Sequence, residues 1–323
     1  MAEPAKSTPA GDRIAKVMAR AGLCSRREAE AWIAEGRVSV NGTTIASPAL
    51  NVAAGDKIAV DGKPMPLRER TRLFLYHKPR GLVTTHADPE KRPTIFEKLP
   101  KTMPRVISVG RLDLNTEGLL LLTNDGGLAR VLELPATGWL RRYRVRAHGS
   151  ILQPQLDAMR KGVTVDGIRY GAIEATVDRM QGANVWLTFA IREGKNREVR
   201  NVLEHLGLRV NRLIRVSFGP FQLGDLPEGD VEEVRTRHLR EQLGERIAQQ
   251  AQADFTGPIA ITEMEEEPVE RKVRGAAPKK DAEVERPKKT KAQKLRERFR
   301  TTERPATGRT KRDRTGNRPK RKR

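Results

Sequence analysis

One cysteine, Cys24, stands in a chain of 323 residues, which excludes an internal disulfide and any zinc site built on several thiolates. A lone thiol suits a reducing compartment. The five histidines, at positions 77, 86, 148, 205 and 238, show no metal-ligand spacing, so no metal is expected. No apolar run reaches the roughly 18 residues of a membrane span, and Met1 to Gly11 lacks the apolar core of a signal peptide. A cytoplasmic location without a membrane partner is the expectation. Hydrophobic residues make up only 37% of the chain, too few for a protein folded throughout.

What the chain has instead is positive charge. Formal net charge is +22, which points to a polyanionic partner, and nucleic acid is the commonest one. The charge is uneven: Arg271 to Arg323 holds 23 Lys and Arg against 6 Asp and Glu, or +17, leaving +5 for everything before it. Residues 251–323 read as a disordered polybasic tail, with an acidic patch from Glu263 to Glu267 and a short helix allowed at Ala292 to Arg300. Residues 1–11, rich in Ala, Pro, Ser and Thr, read as a disordered leader.

From Asp12, Ile14, Val17, Met18 and Ala21 recur at helical spacing, with Asp12 as the expected N-cap and Gly22 as the stop. Ser25-Arg26-Arg27-Glu28 is a capping box opening a second helix that Gly36 ends. Short strands follow around Arg37 to Val40, Thr44-Ile45 and Gly55 to Val60, the first two joined by an Asn41-Gly42 turn. Gly22-Leu23-Cys24-Ser25-Arg26-Arg27-Glu28-Ala29, Gly36-Arg37-Val38 and Val40-Asn41-Gly42 resemble the S-four-like RNA-binding module, here spanning residues 12–60. Arg20, Arg26, Arg27 and Arg37 lie near helix ends and turns, where guanidinium groups can grip phosphates; that makes them the module's candidate RNA contacts.

Two prolines without periodicity mark residues 61–71 as a linker. Beyond it, strands interleave with helices and several strands are paired by short turns. This predicts an α+β domain over residues 72–250 with a mainly antiparallel mixed sheet. A short helix is expected at Ile95 to Leu99 and a longer one at Ile151 to Lys161. Arg141 to Ala147 alternates, with Tyr143, Val145 and Ala147 on one face and Arg142, Arg144 and Arg146 on the other. The stretch Arg105 to Thr123 holds two strand-like runs around a loop bracketed by Gly110 and Gly118, carrying Arg111, Asp113 and Glu117. A loop between buried strands is where catalytic groups tend to sit, but Asp113 could equally form a turn, and this stretch alone leaves both readings open.

Arg111-Leu112-Asp113, Thr116 to Gly126, Tyr143-Arg144-Val145 and Glu193-Gly194-Lys195-Asn196-Arg197-Glu198-Val199-Arg200 together resemble the pseudouridine synthases. More narrowly, they resemble the ribosomal RNA branch of small-subunit and large-subunit enzymes with an N-terminal S-four-like module. The resemblance implies that Asp113 is the catalytic aspartate, Tyr143 the active-site tyrosine against which an extruded uracil lies, and Arg200 the charge partner of Asp113. Asp113 would act as nucleophile at the anomeric carbon or as base at the neighbouring sugar carbon, and the sequence does not choose. Lys78, Arg80, Arg111, Lys195 and Arg197 are further candidate RNA contacts. Glu117 would be a structural carboxylate tying the loop, and Leu134 replaces the histidine usual before Pro135. A monomer needing no metal or small-molecule cofactor is implied, acting on ribosomal RNA, the large subunit favoured, or on a ribosome-assembly intermediate. The rival readings are a catalytically idle RNA-binding assembly factor and a nucleoside or glycoside hydrolase pairing Asp113 with Glu117.

The tail predicts its own measurement. Removing residues 271–323 weakens RNA binding most at low salt and flattens the dependence of log K on log salt; equal affinity and slope in the truncated protein would exclude a polybasic arm.

Overall fold

The computed structural model describes residues 11–259. The chain enters through β1 (Asp12–Arg13), then α1 (Ile14–Arg20) and α2 (Arg26–Ala34). β2 (Val38–Val40) and β3 (Thr43–Thr44) form a hairpin, whose Asn41 and Gly42 both take the positive φ of its tight turn. β4 (Asn51–Val52) pairs back onto β1, while β5 (Ile58–Val60) and β6 (Lys63–Pro64) complete a four-stranded sheet in the order β3-β2-β5-β6. Ile14, Met18, Ile33, Val38 and Ile58 fill the core between helices and sheet. The capping box forms as expected: Ser25 N donates to Glu28 Oε2 at 2.5 Å and Glu28 N donates to Ser25 Oγ at 3.2 Å. Asp12 is not the cap of α1; it sits in β1 and takes a hydrogen bond from Lys16 Nζ at 2.6 Å.

The second body continues with β7 (Leu73–Lys78), β8 (Ile107–Ser108), β9 (Glu117–Thr123), α3 (Gly126–Glu133), β10 (Arg141–His148) and α4 (Gln153–Asp157). A small hairpin of β11 (Val163–Val165) and β12 (Ile168–Tyr170) follows, and then the pair β13 (Ile173–Gln181) and β14 (Asn184–Ile191). α5 (Glu198–His205), β15 (Arg209–Phe218), β16 (Phe221–Gln222), β17 (Val231–Glu233) and α6 (Thr236–Ala251) close it. The main sheet runs β13-β14-β10-β15-β9-β7-β17, with β16 on β15 and β8 on β9. Every pairing in it is antiparallel except β15 with β9. This is the α+β class, with the mainly antiparallel mixed sheet the sequence predicts.

Strand alternation assigns the cores. Leu119 and Leu121 of β9 face α3 and α6, while Leu120 and Leu122 face the segment carrying Leu82, Ile95 and Val106. Tyr143, Val145 and Ala147 of β10 pack under α4 and α5 with Leu187, Phe189, Val202 and Leu213. β13 is an edge strand, and Gln153 covers its open backbone: Nε2 donates to Ala175 O at 2.9 Å, and Oε1 accepts from Val177 N at 3.0 Å.

Four expectations are corrected. Residues 61–71 are not a free linker: β6 and Met65 belong to the first module, and Arg70 N donates to Pro258 O at 3.0 Å. Residues 251–259 are not tail, because Ala251 is buried and Ala253 and Phe255 pack against the α3–α6 core. Ile95 to Leu99 is a turn instead of a helix; Thr94 and Glu97 cap it reciprocally at 3.3 Å, but Pro93 and Pro100 confine it. The helix expected over Ile151 to Lys161 is shorter, with α4 giving way to a 3-10 turn at Ala158–Lys161. The leader up to residue 10 and the tail from residue 260 lie outside the described residues.

Asp125, buried at the C-terminal end of β9, joins the two modules. Its carboxylate accepts from Arg68 Nη2 at 2.7 Å, Thr71 Oγ1 at 2.8 Å, Gly127 N at 2.8 Å and Arg20 Nη2 at 3.2 Å. Arg20 Nη2 also donates to Ala251 O at 2.7 Å. Removing one partner from a buried charge cluster strands the others in low dielectric. Asp125→Ala is therefore expected to cost about 3 kcal/mol in urea unfolding, whereas Asp56→Ala, which removes an acceptor for Asn41 Nδ2 and Ala53 N at a surface turn, costs markedly less.

Candidate active site

The loop between β8 and β9 begins at Gly110, whose φ of 68° would strain any side chain, and whose N–H donates to Glu133 Oε1 at 2.8 Å. At its other end Gly118 has φ 100°, and a Cβ there would lie 2.3 Å from Arg215 O, because β9 and β15 meet side by side at this residue. Glycine is required where the two backbones approach so closely.

Between these hinges the loop backbone is tied from three directions. Lys78, fully buried at the end of β7, donates from Nζ to Pro79 O at 2.9 Å, Thr116 O at 3.1 Å and Asp113 O at 3.3 Å. Thr84 Oγ1 donates to Leu112 O at 3.0 Å, and Gly81 N donates to Leu114 O at 2.9 Å. Arg200, one turn into α5, donates from Nη2 to Asn115 O at 2.9 Å. Leu112 is buried, while the side chains of Asp113 and Arg111 on either side of it are exposed. The backbone around Asp113 is thus held while its carboxylate is presented to solvent.

Tyr143 is buried on β10. Cα partners in a ladder share a face, so the pairs Tyr143–Arg215 and Arg215–Gly118 set Tyr143 two strands from Gly118 on one side of the sheet. Two strand spacings are roughly 10 Å. Arg215 is itself buried between them, with Nε donating to Leu119 O at 2.7 Å. A charged residue on the buried phase of Leu213-Ile214-Arg215-Val216 is the signal that could have singled it out in the sequence.

Glu117 is buried beside the exposed Asp113 and is fully engaged. Arg212 grips it through Nε at 3.0 Å and Nη2 at 2.8 Å, and Arg80 Nε stands 3.7 Å away. Bidentate pairing leaves it as the structural carboxylate of the loop and removes it as a partner acid for a hydrolase.

The predicted site residues divide. Asp113, Arg200, Arg80 and Arg197 come together: Arg197, Asp113 and Arg80 all act electrostatically on the Arg200 guanidinium, whose affinity for its proton burial lowers most. Arg200 does not form the expected ion pair with Asp113; it spends its Nη2 on the loop carbonyl, and the Asp113 charge acts on its guanidinium at longer range. Arg197 is exposed in the left-handed region at the head of α5. Lys195 is exposed too, but is paired to Glu193 at 2.7 Å.

Two expected RNA contacts are corrected outright. Lys78 is buried under the loop, and Arg20 is half-buried with its guanidinium committed to Asp125, Ala251 O and Gln252, so neither offers its charge to a phosphate. Arg26 and Arg27 remain exposed on α2, and Arg37 is exposed with its guanidinium on Asp61 at 2.7 Å and over Trp32. Thr84 and Arg215 are the residues sequence reasoning missed.

Burial pushes the Lys78 ammonium down to about 8, with Asp113 and Glu117 opposing the shift. The folded state therefore releases this proton before the unfolded chain does, and Lys78 contributes a stability that rises with pH between about 8 and the ordinary lysine value of 10.5. Lys78→Met strands three carbonyls and is expected to destabilise by about 1–3 kcal/mol. Urea unfolding at pH 7.5 and 9.5 should show the gap between wild type and variant widening at the higher pH; a constant gap would count against a buried ammonium.

Among known proteins, residues 72–205 match the RNA pseudouridylate synthase family and residues 12–58 match the S4 domain. An uncharacterized RNA pseudouridine synthase of Rickettsia prowazekii (strain Madrid E) is 46% identical over 233 residues, covering 72% of this chain and 97% of that one. Ribosomal large subunit pseudouridine synthase B of Pasteurella multocida (strain Pm70) is 42% identical over 258 residues, covering 77% and 75%. A solved crystal structure of pseudouridylate synthase superposes with a TM-score of 0.50 at 26% identity, covering 72% of this chain and 99% of that one. With its motifs in order, an S4 domain ahead of them and 46% identity to a relative covered over 97% of its length, the chain belongs to the RNA pseudouridine synthases.

Proposed function

We propose that this enzyme converts a uridine of large-subunit ribosomal RNA to pseudouridine, with Asp113 as the catalytic carboxylate. The observation that carries the reading is the contrast at the loop: its backbone is tied by Lys78, Thr84, Gly81 and Arg200, while the Asp113 side chain stays exposed. A reacting group needs a fixed position and an open approach, and the loop provides both. The large-subunit assignment draws on the relative of Pasteurella multocida, named for that substrate.

In the proposed reaction the target uridine leaves its stack and its base lies against the Tyr143 ring. The bond from ribose to N1 breaks, the uracil turns, and a bond from the same ribose carbon to C5 forms; the C5 proton is lost and N1 is protonated, so no atom is gained overall. Asp113 serves either as nucleophile at the anomeric carbon or as base at the neighbouring one. Arg80, Arg197 and Arg200 cluster on the Asp113 side of the loop, and Arg111 stands exposed two residues before Asp113; these cations suit the phosphates flanking a flipped nucleotide. Arg26, Arg27 and Arg37 of the S4 domain supply contacts further out along the RNA. The enzyme acts in this reading as a cytoplasmic monomer without metal or cofactor.

The test is to map carbodiimide-resistant uridine adducts across ribosomal RNA from a deletion strain, complemented with wild type and with Asp113→Ala. One site should vanish on deletion, return with wild type, and stay absent with the variant. A map unchanged by deletion, or restored by Asp113→Ala, would favour an idle RNA-binding assembly factor instead. Loss confined to small-subunit RNA would overturn the large-subunit assignment alone.

A further inference from the structure

The alternating arginines of β10 have so far found no role. Tyr143, Val145 and Ala147 point into the core, which turns Arg144 and Arg146 to the opposite face of the sheet, away from the Tyr143 side. There the ladders assemble a row across four strands: Arg179 of β13 stands opposite Trp186 of β14, Trp186 opposite Arg146 of β10, and Arg146 opposite Arg212 of β15. Arg144 lies one step along, with its guanidinium over the Trp186 ring at 5.2 Å, and Arg179 sits over the same ring at 5.8 Å.

The chemistry of this row differs from that of ordinary surface arginines. Arg37, Arg72 and Arg92 are neutralised by carboxylates, at Asp61, Glu233 and Asp88. Among the described residues Arg142, Arg144, Arg146 and Arg179 form no ion pair. Arg144 and Arg179 are held by an aromatic face instead, which fixes a guanidinium plane without cancelling its charge or occupying its N–H donors. Arg146 Nε is buried and donates to no protein atom. Asp178 of β13 accepts from Thr188 Oγ1 at 3.0 Å and forms no ion pair among the described residues. The row ends at Arg212, whose other contact is Glu117 at the base of the Asp113 loop.

We propose that this open sheet face, with Arg144, Arg146 and Arg179 arranged around Trp186, is a second RNA-backbone contact surface on the side of the sheet away from Tyr143. Its ligand is the phosphodiester chain of the RNA substrate beyond the target nucleotide. The inference rests on the chain's membership of the RNA pseudouridine synthases, whose substrate is the polyanion available to it, and on unneutralised, preorganised donors that match phosphate oxygens. Contacts of this kind position the RNA without reading its sequence.

The test uses the full chain carrying Arg144→Gln, Arg146→Gln and Arg179→Gln together, with the matching triple lysine variant. Fluorescence anisotropy against transcribed large-subunit ribosomal RNA and against poly(U) is measured from 50 to 400 mM salt. The glutamine variant should bind both RNAs about tenfold to a hundredfold more weakly at 0.1 M salt, its salt slope falling by about 2. The lysine variant should keep the slope, since the charge count sets it, while losing part of the affinity that planar guanidiniums held on Trp186 supply. Turnover at saturating RNA should be unchanged in the glutamine variant, which separates this surface from the Asp113 site; loss of turnover there with binding intact would overturn the proposal. So would wild-type affinity and slope in the glutamine variant. A third outcome also overturns it: unchanged RNA binding with lost capture of a peptide spanning residues 260–270 would mean that the face receives the acidic Glu263 to Glu267 stretch.

Discussion

A single buried ammonium organises the catalytic half of this molecule. Lys78 Nζ lies beneath the loop and gathers the carbonyls of Pro79, Asp113 and Thr116, thereby joining β7 to the start of β9 through the segment carrying the aspartate. Burying that charge is unfavourable in itself, and burial lowers the proton affinity accordingly. The compensation is that three backbone acceptors, which a loop at this depth would otherwise leave unsatisfied, find one donor group. A neutral side chain of similar length would spare the desolvation and lose the loop.

The same logic of satisfying groups at a distance explains why two cations were misread from sequence. Arg20 follows the last apolar residue of a helix and Lys78 precedes Pro79, positions where a basic residue is usually solvated. Their partners lie far along the chain, Asp125 for Arg20 and the Asp113 to Thr116 backbone for Lys78. No local pattern encodes such pairings. Where both partners fall within one turn, as with Ser25 and Glu28, the sequence was sufficient and the capping box is present. Glu117 lies between these cases: the family resemblance implies a structural carboxylate, but its partner Arg212, 95 residues away, is found only in the fold.

Element boundaries follow a similar division. Strands whose alternation is strict, such as Arg141–His148 and Asn184–Ile191, lie where their periodicity predicts, because burial on one face permits only one phase. The segments misassigned were those whose order comes from neighbours distant in sequence. Residues 251–259 read as the start of a polar tail, yet Phe255 reaches the α3–α6 core and Asp254 O accepts from Thr71 N at 2.5 Å. Lys63–Pro64 reads as linker because it holds a proline, but an edge strand tolerates proline wherever its N–H would face outward.

The loop and the main sheet also divide the labour of charge. Beneath the site, Lys78 and Arg215 are buried cations that donate to backbone carbonyls, Lys78 to three of them and Arg215 through Nε to Leu119 O, while Arg215 Nη2 is buried without a protein acceptor. Around the site, Arg80, Arg197 and Arg200 crowd together, and mutual repulsion among cations favours an arrangement that an anion completes. On the far face of the sheet, Arg144 and Arg179 are held by Trp186 and spend nothing on carboxylates. Buried cations thus hold the shape of the fold, while Arg144 and Arg179 keep their charge free of carboxylates among the described residues, which is the arrangement a phosphodiester backbone would complement.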